Sequence, residues 1–157
     1  MEDRFLYSVE REYPHAIETV WDAWTNAESL EKWYHPTVLS IVPGSVISDA
    51  KAGGIWTVAV DVPMNDFVAY FFGKYTNVEP QKKIEHTMSY TQSAEEFAAR
   101  DENAPFHKVT VDFESRGDKT WVKFSQYGEM PEEQIPATTD GMNSYFDSLE
   151  YFLDENA

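Results

Sequence analysis

The sequence predicts an α+β domain of helix-grip type. A curved antiparallel sheet of about six to seven strands wraps around one long C-terminal helix, and two short helices follow the first strand. Three observations carry this expectation. Apolar residues recur at helical spacing near both ends of the chain, and the segments between alternate with a period of two. The alternating segments are joined by short turn sequences, which makes neighbours antiparallel. Such a sheet needs cover on its apolar face, and the closing helix carries a stripe long enough to supply it. The 157 residues are read as one domain, 1–157, long enough to bury a core, with no internal repeat.

The elements follow in order. "RFLYSVEREY" (4–13) alternates Phe5, Tyr7 and Val9 against Leu6, Ser8 and Glu10, and Pro14 ends it. Ile17, Val20, Trp21 and Trp24 then lie on one face of a helix. Leu30, Trp33 and Tyr34 continue the pattern in a second short helix, with Asn26 as its candidate cap and His35-Pro36 closing the pair. "TVLSIV" and Ser45–Ser48 are short extended pieces, and a Gly-Gly turn follows. "IWTVAVDV" (55–62) sets Trp56, Val58 and Val60 against Ile55, Thr57, Ala59 and Asp61. "FVAYFFGKYTNV" (67–78) is a long strand with Gly73 as an expected bulge or bend. After the Glu79-Pro80-Gln81 turn, "KIEHTMSY" (83–90) places Ile84, His86, Met88 and Tyr90 on one face.

The stretch 91–105 is rich in Ala and Glu and reads as a connection carrying a short helix. "HKVTVDFES" (107–115), Arg116-Gly117-Asp118 and "KTWVKFSQY" (119–127) form the clearest hairpin in the chain. An acidic loop punctuated by prolines leads to the last helix. There Met142, Tyr145, Phe146, Leu149, Phe152 and Leu153 make the stripe, Thr138 or Thr139 is the expected cap, and Asp140 suits the positive end of the dipole.

Composition removes several function classes. Twelve basic against 28 acidic residues give a formal net charge of −16, which repels phosphate backbones and anionic lipids; no nucleic-acid or membrane role is expected. No apolar run approaches a membrane span, and the N-terminus does not read as a signal peptide. The absence of cysteine excludes disulfides and thiolate chemistry and fits a cytoplasmic address. The four histidines, His15, His35, His86 and His107, fall in no metal-ligand spacing, and no nucleophile elbow or phosphate-cradling loop is present. No metal, cofactor or catalytic residue is therefore assigned. The cluster Glu129, Glu132 and Glu133 reads as a solvated loop.

"AIETVWDAWTNAESLEKWYHP" resembles the N-terminal signature of the START-like (SRPBCC, birch-pollen-allergen-like) superfamily. Within it, the activator of heat-shock-90 ATPase homologue-like family is the nearest match. "GGIW", "GKYTNVEPQKKIEHTMSY", "TWVKFSQYG" and "DGMNSYFDSLEYFL" resemble that family's later motifs in the same order. The chain departs from the family pattern at Gly141-Met142, where Gly-Trp is common, and its 91–105 segment is longer than usual. The resemblance implies a cavity between sheet and long helix, of the kind used for apolar or amphipathic small molecules. It fixes no chemistry, because members range from lipid carriers and cyclases to a co-chaperone module.

The candidate ligand-binding residues are Trp33, Trp56, Phe71, His86, Met88, Tyr90, Phe124, Met142, Tyr145 and Phe146. Strand faces and helix stripe present these side chains toward one gap, aromatics supplying contact area and Tyr and His supplying polar handles. Trp21 and Trp24 share a helical face with Ile17 and Val20 and read as core. Trp33 reads equally as core or as a residue at the cavity mouth. The expected partner is an apolar or aromatic small molecule bound without evident catalysis. The alternatives are a protein-interaction module that docks on a chaperone, and an enzyme using His86 or Tyr90.

Overall fold

The structure, a computed structural model, describes residues 4–101 and 103–156. Its elements run β1 (Phe5–Tyr13), α1 (Ile17–Thr25), α2 (Ala27–Trp33), β2 (Ser40–Ile41), β3 (Ile47–Ser48), β4 (Ile55–Val62), β5 (Phe67–Glu79), β6 (Lys83–Thr91), α3 (Ala94–Ala99), β7 (His107–Arg116), β8 (Lys119–Tyr127) and α4 (Ile135–Glu155). The sheet is antiparallel in the order β1-β8-β7-β6-β5-β4-β2, with β3 also paired to β4. Six strands are long; β2 and β3 have two residues each. This is the expected helix-grip arrangement, with α4 laid across the sheet.

Local chemistry sets the joints. The Asn26 side chain accepts a hydrogen bond from the Glu28 N–H at 2.9 Å, so it caps α2 as its position suggests. The β7–β8 hairpin closes through Gly117, and α3 is capped by Ser93. In β4 five consecutive residues, Trp56 to Val60, are buried. Trp56, Val58 and Val60 face the core. Thr57 and Ala59 lie under the 45–47 segment: Thr57 Oγ1 donates to Ser45 O at 2.7 Å and accepts from the Ile47 N–H at 3.0 Å.

Three local expectations are corrected. The register of β5 against β6 shifts between Tyr75 and Asn77, not at Gly73. Gly73 answers a close approach instead, since a Cβ there would lie 2.0 Å from the Thr87 carbonyl oxygen. In β1 the register shifts between Phe5 and Tyr7, so Leu6 and Tyr7 are both buried while Phe5 is exposed against Tyr127. Finally, α4 begins at Ile135, a turn before the expected caps. Pro136 sits in the first turn, where its missing N–H costs nothing. Thr138 and Thr139 donate back to the carbonyls of Gln134 and Ile135, at 2.9 and 2.7 Å, and cap nothing.

The core is aromatic. Trp24 packs edge-on against Trp33, with ring centroids 4.8 Å apart, and lies within 6.5 Å of Phe113, Phe124 and Phe146. Trp21 is half-buried and edge-on to Phe113. Met142, Phe146, Leu149 and Leu153 form the buried stripe of α4. The helix is tied to β1 by Tyr13, whose hydroxyl donates to Phe146 O at 2.9 Å, and by the 2.7 Å ion pair of Arg11 with Asp147. No helix among the described residues is long and apolar enough to cross a membrane.

Candidate functional site

The packing of α4 on the sheet is complete at one end only. Beyond Phe146 the helix and sheet diverge around a cavity of about 890 Å³. Alternation along the strands aims the walls: Tyr7 from β1, Phe71 from β5, Met88 and Tyr90 from β6, and Phe124 and Gln126 from β8. The first half of α4 supplies Thr138, Gly141, Met142 and Tyr145 at helical spacing. Tyr34, at the C-terminal end of α2, joins from the side. Segments 103–107 and 128–131 form the rim, where Tyr90 and Phe106 are about half exposed.

Six of the ten candidate residues line this space: Phe71, Met88, Tyr90, Phe124, Met142 and Tyr145. The other four share the same faces but lie farther along them, in packed core. Trp33 is fully buried, and its indole N–H donates to Ala23 O at 2.7 Å, so it guards no mouth. Phe146 is likewise fully buried, beside Tyr13 and Trp24. Trp56 and His86 stack on each other at 4.2 Å. Nδ1 of His86 lies 2.8 Å from Thr87 O, so it carries the proton and donates there. Burial pushes the His86 pKa down to about 4, only partly offset by the bond to Thr87. His86 and Tyr90 therefore share no site: Tyr90 is at the rim and accepts from Gln92 at 2.7 Å.

A polar chain crosses the cavity wall. The Tyr7 hydroxyl donates to Gln126 Oε1 at 2.7 Å. The Gln126 amide N–H donates to His107 Nδ1 at 2.6 Å, which leaves His107 Nε2–H to donate to Glu129 O at 3.0 Å. Gly128 permits the last contact, because a Cβ on it would fall 2.5 Å from the His107 ring. Gln126 follows Val122 and Phe124 at period two, so an amide on an otherwise apolar face was the sequence signal for this chain. The 103–107 and 128–131 segments carry no periodicity that could have announced them.

At the inner end, Tyr34 and Tyr145 meet edge-on at 5.0 Å. Burial holds three of the cavity phenols, Tyr7, Tyr34 and Tyr145, neutral well above the ordinary tyrosine range, and proximity to Tyr145 adds to the effect on Tyr7 and Tyr34. Such a site can hold an apolar body and donate hydrogen bonds. Among the described residues, no group of three or more His, Asp or Glu side chains is arranged to hold a metal ion.

The sequence matches the family model described as Activator of Hsp90 ATPase homolog 1-like protein over residues 14–154. Solved structures share the fold at low identity. A Staphylococcus epidermidis protein solved by NMR is 24% identical, covering 100% of this chain and 94% of that one, with a TM-score of 0.77. A crystal structure of an AHSA1 protein from Silicibacter pomeroyi is 17% identical, covering 96% of this chain and 99% of that one, with a TM-score of 0.79. A Mycobacterium smegmatis protein is 16% identical over 93% and 88% of the two chains, with a TM-score of 0.74. No curated protein sequence matches significantly.

Proposed function

The chain belongs to the Activator of Hsp90 ATPase homolog 1-like family, and from that premise we propose that it binds a hydrophobic, aromatic small molecule between sheet and α4 without transforming it. One observation carries this reading: the cavity of about 890 Å³ lies at the upper end of the roughly 300–1,000 Å³ range of small-molecule sites. Its wall combines aromatic and thioether side chains with a few phenol, amide and imidazole groups, the mixture that gives contact area together with orientation. Among the described residues of the wall, no nucleophile is paired with a base at hydrogen-bond distance, which disfavours acyl-transfer chemistry.

Two measurements test it. Native mass spectrometry of freshly purified protein should show a co-purified mass in the small-molecule range. Titration with flat polyaromatic compounds should shift the NMR signals of Phe71, Met88, Tyr90, Phe124, Met142 and Tyr145 together, and leave Lys123 and Glu114 in place. Shifts confined to surface loops would refute ligand binding.

A second reading has its own observation. Tyr90 and Phe106 both expose large aromatic rings at the cavity, 51% and 52% accessible, and exposed aromatic surface of this kind suits a protein partner. A chaperone is the partner class that the family suggests. Binding that is lost in Phe106→Ser and Tyr90→Ser, while small-molecule titrations stay silent, would favour this reading over the first.

A further inference from the structure

Six tyrosines are buried or line the cavity, and four have hydroxyl partners, among them Tyr90 at the rim, which accepts from Gln92. Tyr7 donates to Gln126, Tyr13 donates to Phe146 O, and Tyr75 shares a 2.6 Å hydrogen bond with Ser48. Tyr34 and Tyr145 differ: neither hydroxyl has a hydrogen-bond partner among the described residues. Both side chains line the cavity. Tyr34 is only 5% exposed, and its ring is held by three edge-on contacts to Trp24, Trp33 and Trp56 at 5.2–6.1 Å besides the one to Tyr145. Its orientation is thus fixed by packing. Among the described residues the one buried side-chain polar atom left unpaired is Trp24 Nε1, so the Tyr34 and Tyr145 hydroxyls keep access to the cavity space, with their hydrogens left for whatever fills it.

We propose that the inner end of the cavity is a carbonyl-binding subsite, in which the Tyr34 and Tyr145 hydroxyls donate to the oxygen of a neutral ketone or quinone borne on an aromatic body. The inference rests on the small-molecule reading above and names the ligand chemistry it requires. Two donors on one acceptor match a carbonyl oxygen, which has two lone pairs. Tyr7 adds no third donor, because its hydrogen is committed to Gln126. Burial keeps both phenols protonated, so they donate and do not accept a cation. A carboxylate ligand is disfavoured on charge. Among the described residues the lining contains no Lys or Arg, Glu129 stands at the rim, and the chain carries −16 overall, so a buried anion finds no Lys or Arg counter-charge there.

Three probes built on one tricyclic ring system separate the possibilities: fluorene, 9-fluorenone and 9-fluorenecarboxylate. Dissociation constants come from quenching of tryptophan fluorescence. The unmodified protein should bind fluorenone about tenfold more tightly than fluorene, the worth of one to two net hydrogen bonds. The carboxylate should bind more weakly than either. In the Tyr34→Phe/Tyr145→Phe variant the preference for the ketone should vanish while fluorene affinity is kept. The carbonyl stretch of ¹³C-labelled fluorenone should move to lower frequency on binding to the unmodified protein, a readout that needs no variant. Equal binding of fluorene and fluorenone with an unshifted stretch overturns the subsite and leaves the apolar cavity standing. Tightest binding of the carboxylate overturns the neutral-acceptor assignment. Failure of all three probes to bind removes the small-molecule reading itself and the subsite with it.

Discussion

Acidification should destabilise the fold through one side chain. His86 is stacked on Trp56, edge-on to Tyr75 at 5.9 Å, and 4% exposed. Burial pushes its pKa to about 4, whereas in the unfolded chain the imidazole titrates near the ordinary value of about 6.5. Between those two values the unfolded chain takes up a proton that the folded one refuses. The stability is fully present above about pH 6.5 and is lost as pH falls toward 4. At about 1.36 kcal/mol per pKa unit, the loss is about 2 kcal/mol at pH 5 and approaches about 3 kcal/mol at pH 4. Tyr75 does not compete, since burial holds its pKa up at about 12. Acidification changes more than one group, so the measured quantity is a difference. Urea unfolding of the native protein and of His86→Phe, which keeps a ring against Trp56, is followed by tryptophan fluorescence at pH 7.5, 6 and 5. The native protein should lose about 2 kcal/mol relative to the variant between pH 7.5 and 5. A pH-independent difference, with unchanged denaturant slopes, would show that His86 is protonated in the fold and that the burial argument is wrong.

Other outcomes follow from single contacts. Leu149→Ala should cost about 2–5 kcal/mol, since Leu149 is fully buried in the stripe of α4; an unchanged melting temperature would mean the helix register is wrong. Gly73→Ala should destabilise by more than a typical surface change, because the Thr87 carbonyl occupies the space of the new methyl group, and calorimetry that finds a gain in stability would contradict that geometry. Asn26→Ala should cost about 1 kcal/mol through loss of the α2 cap, read by thermal denaturation. The protein should not retard duplex DNA at micromolar concentration; retardation that weakens with added salt would show a basic surface that its charge does not suggest.

The fold was legible because its two periods are clean. Alternation in 55–62, 107–115 and 119–127 and the helical stripe from Met142 to Leu153 each matched the element that formed. What was not legible came from competition between local groups. The threonines before Met142 resemble caps in sequence, but a proline one turn earlier starts the helix, and their hydroxyls then bond backward along it. At the cavity, periodicity supplied the face of each side chain but not its position along the element. Trp56 and His86 share faces with Phe124 and Met88, yet they lie where helix and sheet have already closed. In sequence Tyr34 continues a helical face, whereas it terminates α2 with ψ near 65° and joins the cavity lining.

The placement of β1 at the edge next to β8 has a consequence for how the chain reaches this state. Strands β4 to β7 each pair with their successor, so these contacts span short stretches of chain and can form in the order in which the chain is made. The first strand cannot join them early: Tyr7 waits for Gln126, 119 residues away, and Arg11 for Asp147, 136 residues away. Loop closure over such separations carries a larger entropic cost than a hairpin, and contacts of this range slow folding. During synthesis β1 thus emerges first and pairs last. Until residues 119–127 appear it is a bare edge rich in aromatic and aliphatic side chains, the kind of segment that invites wrong pairings. The same strand carries the charges Glu10, Arg11 and Glu12, and charges on an unpaired strand oppose wrong pairing.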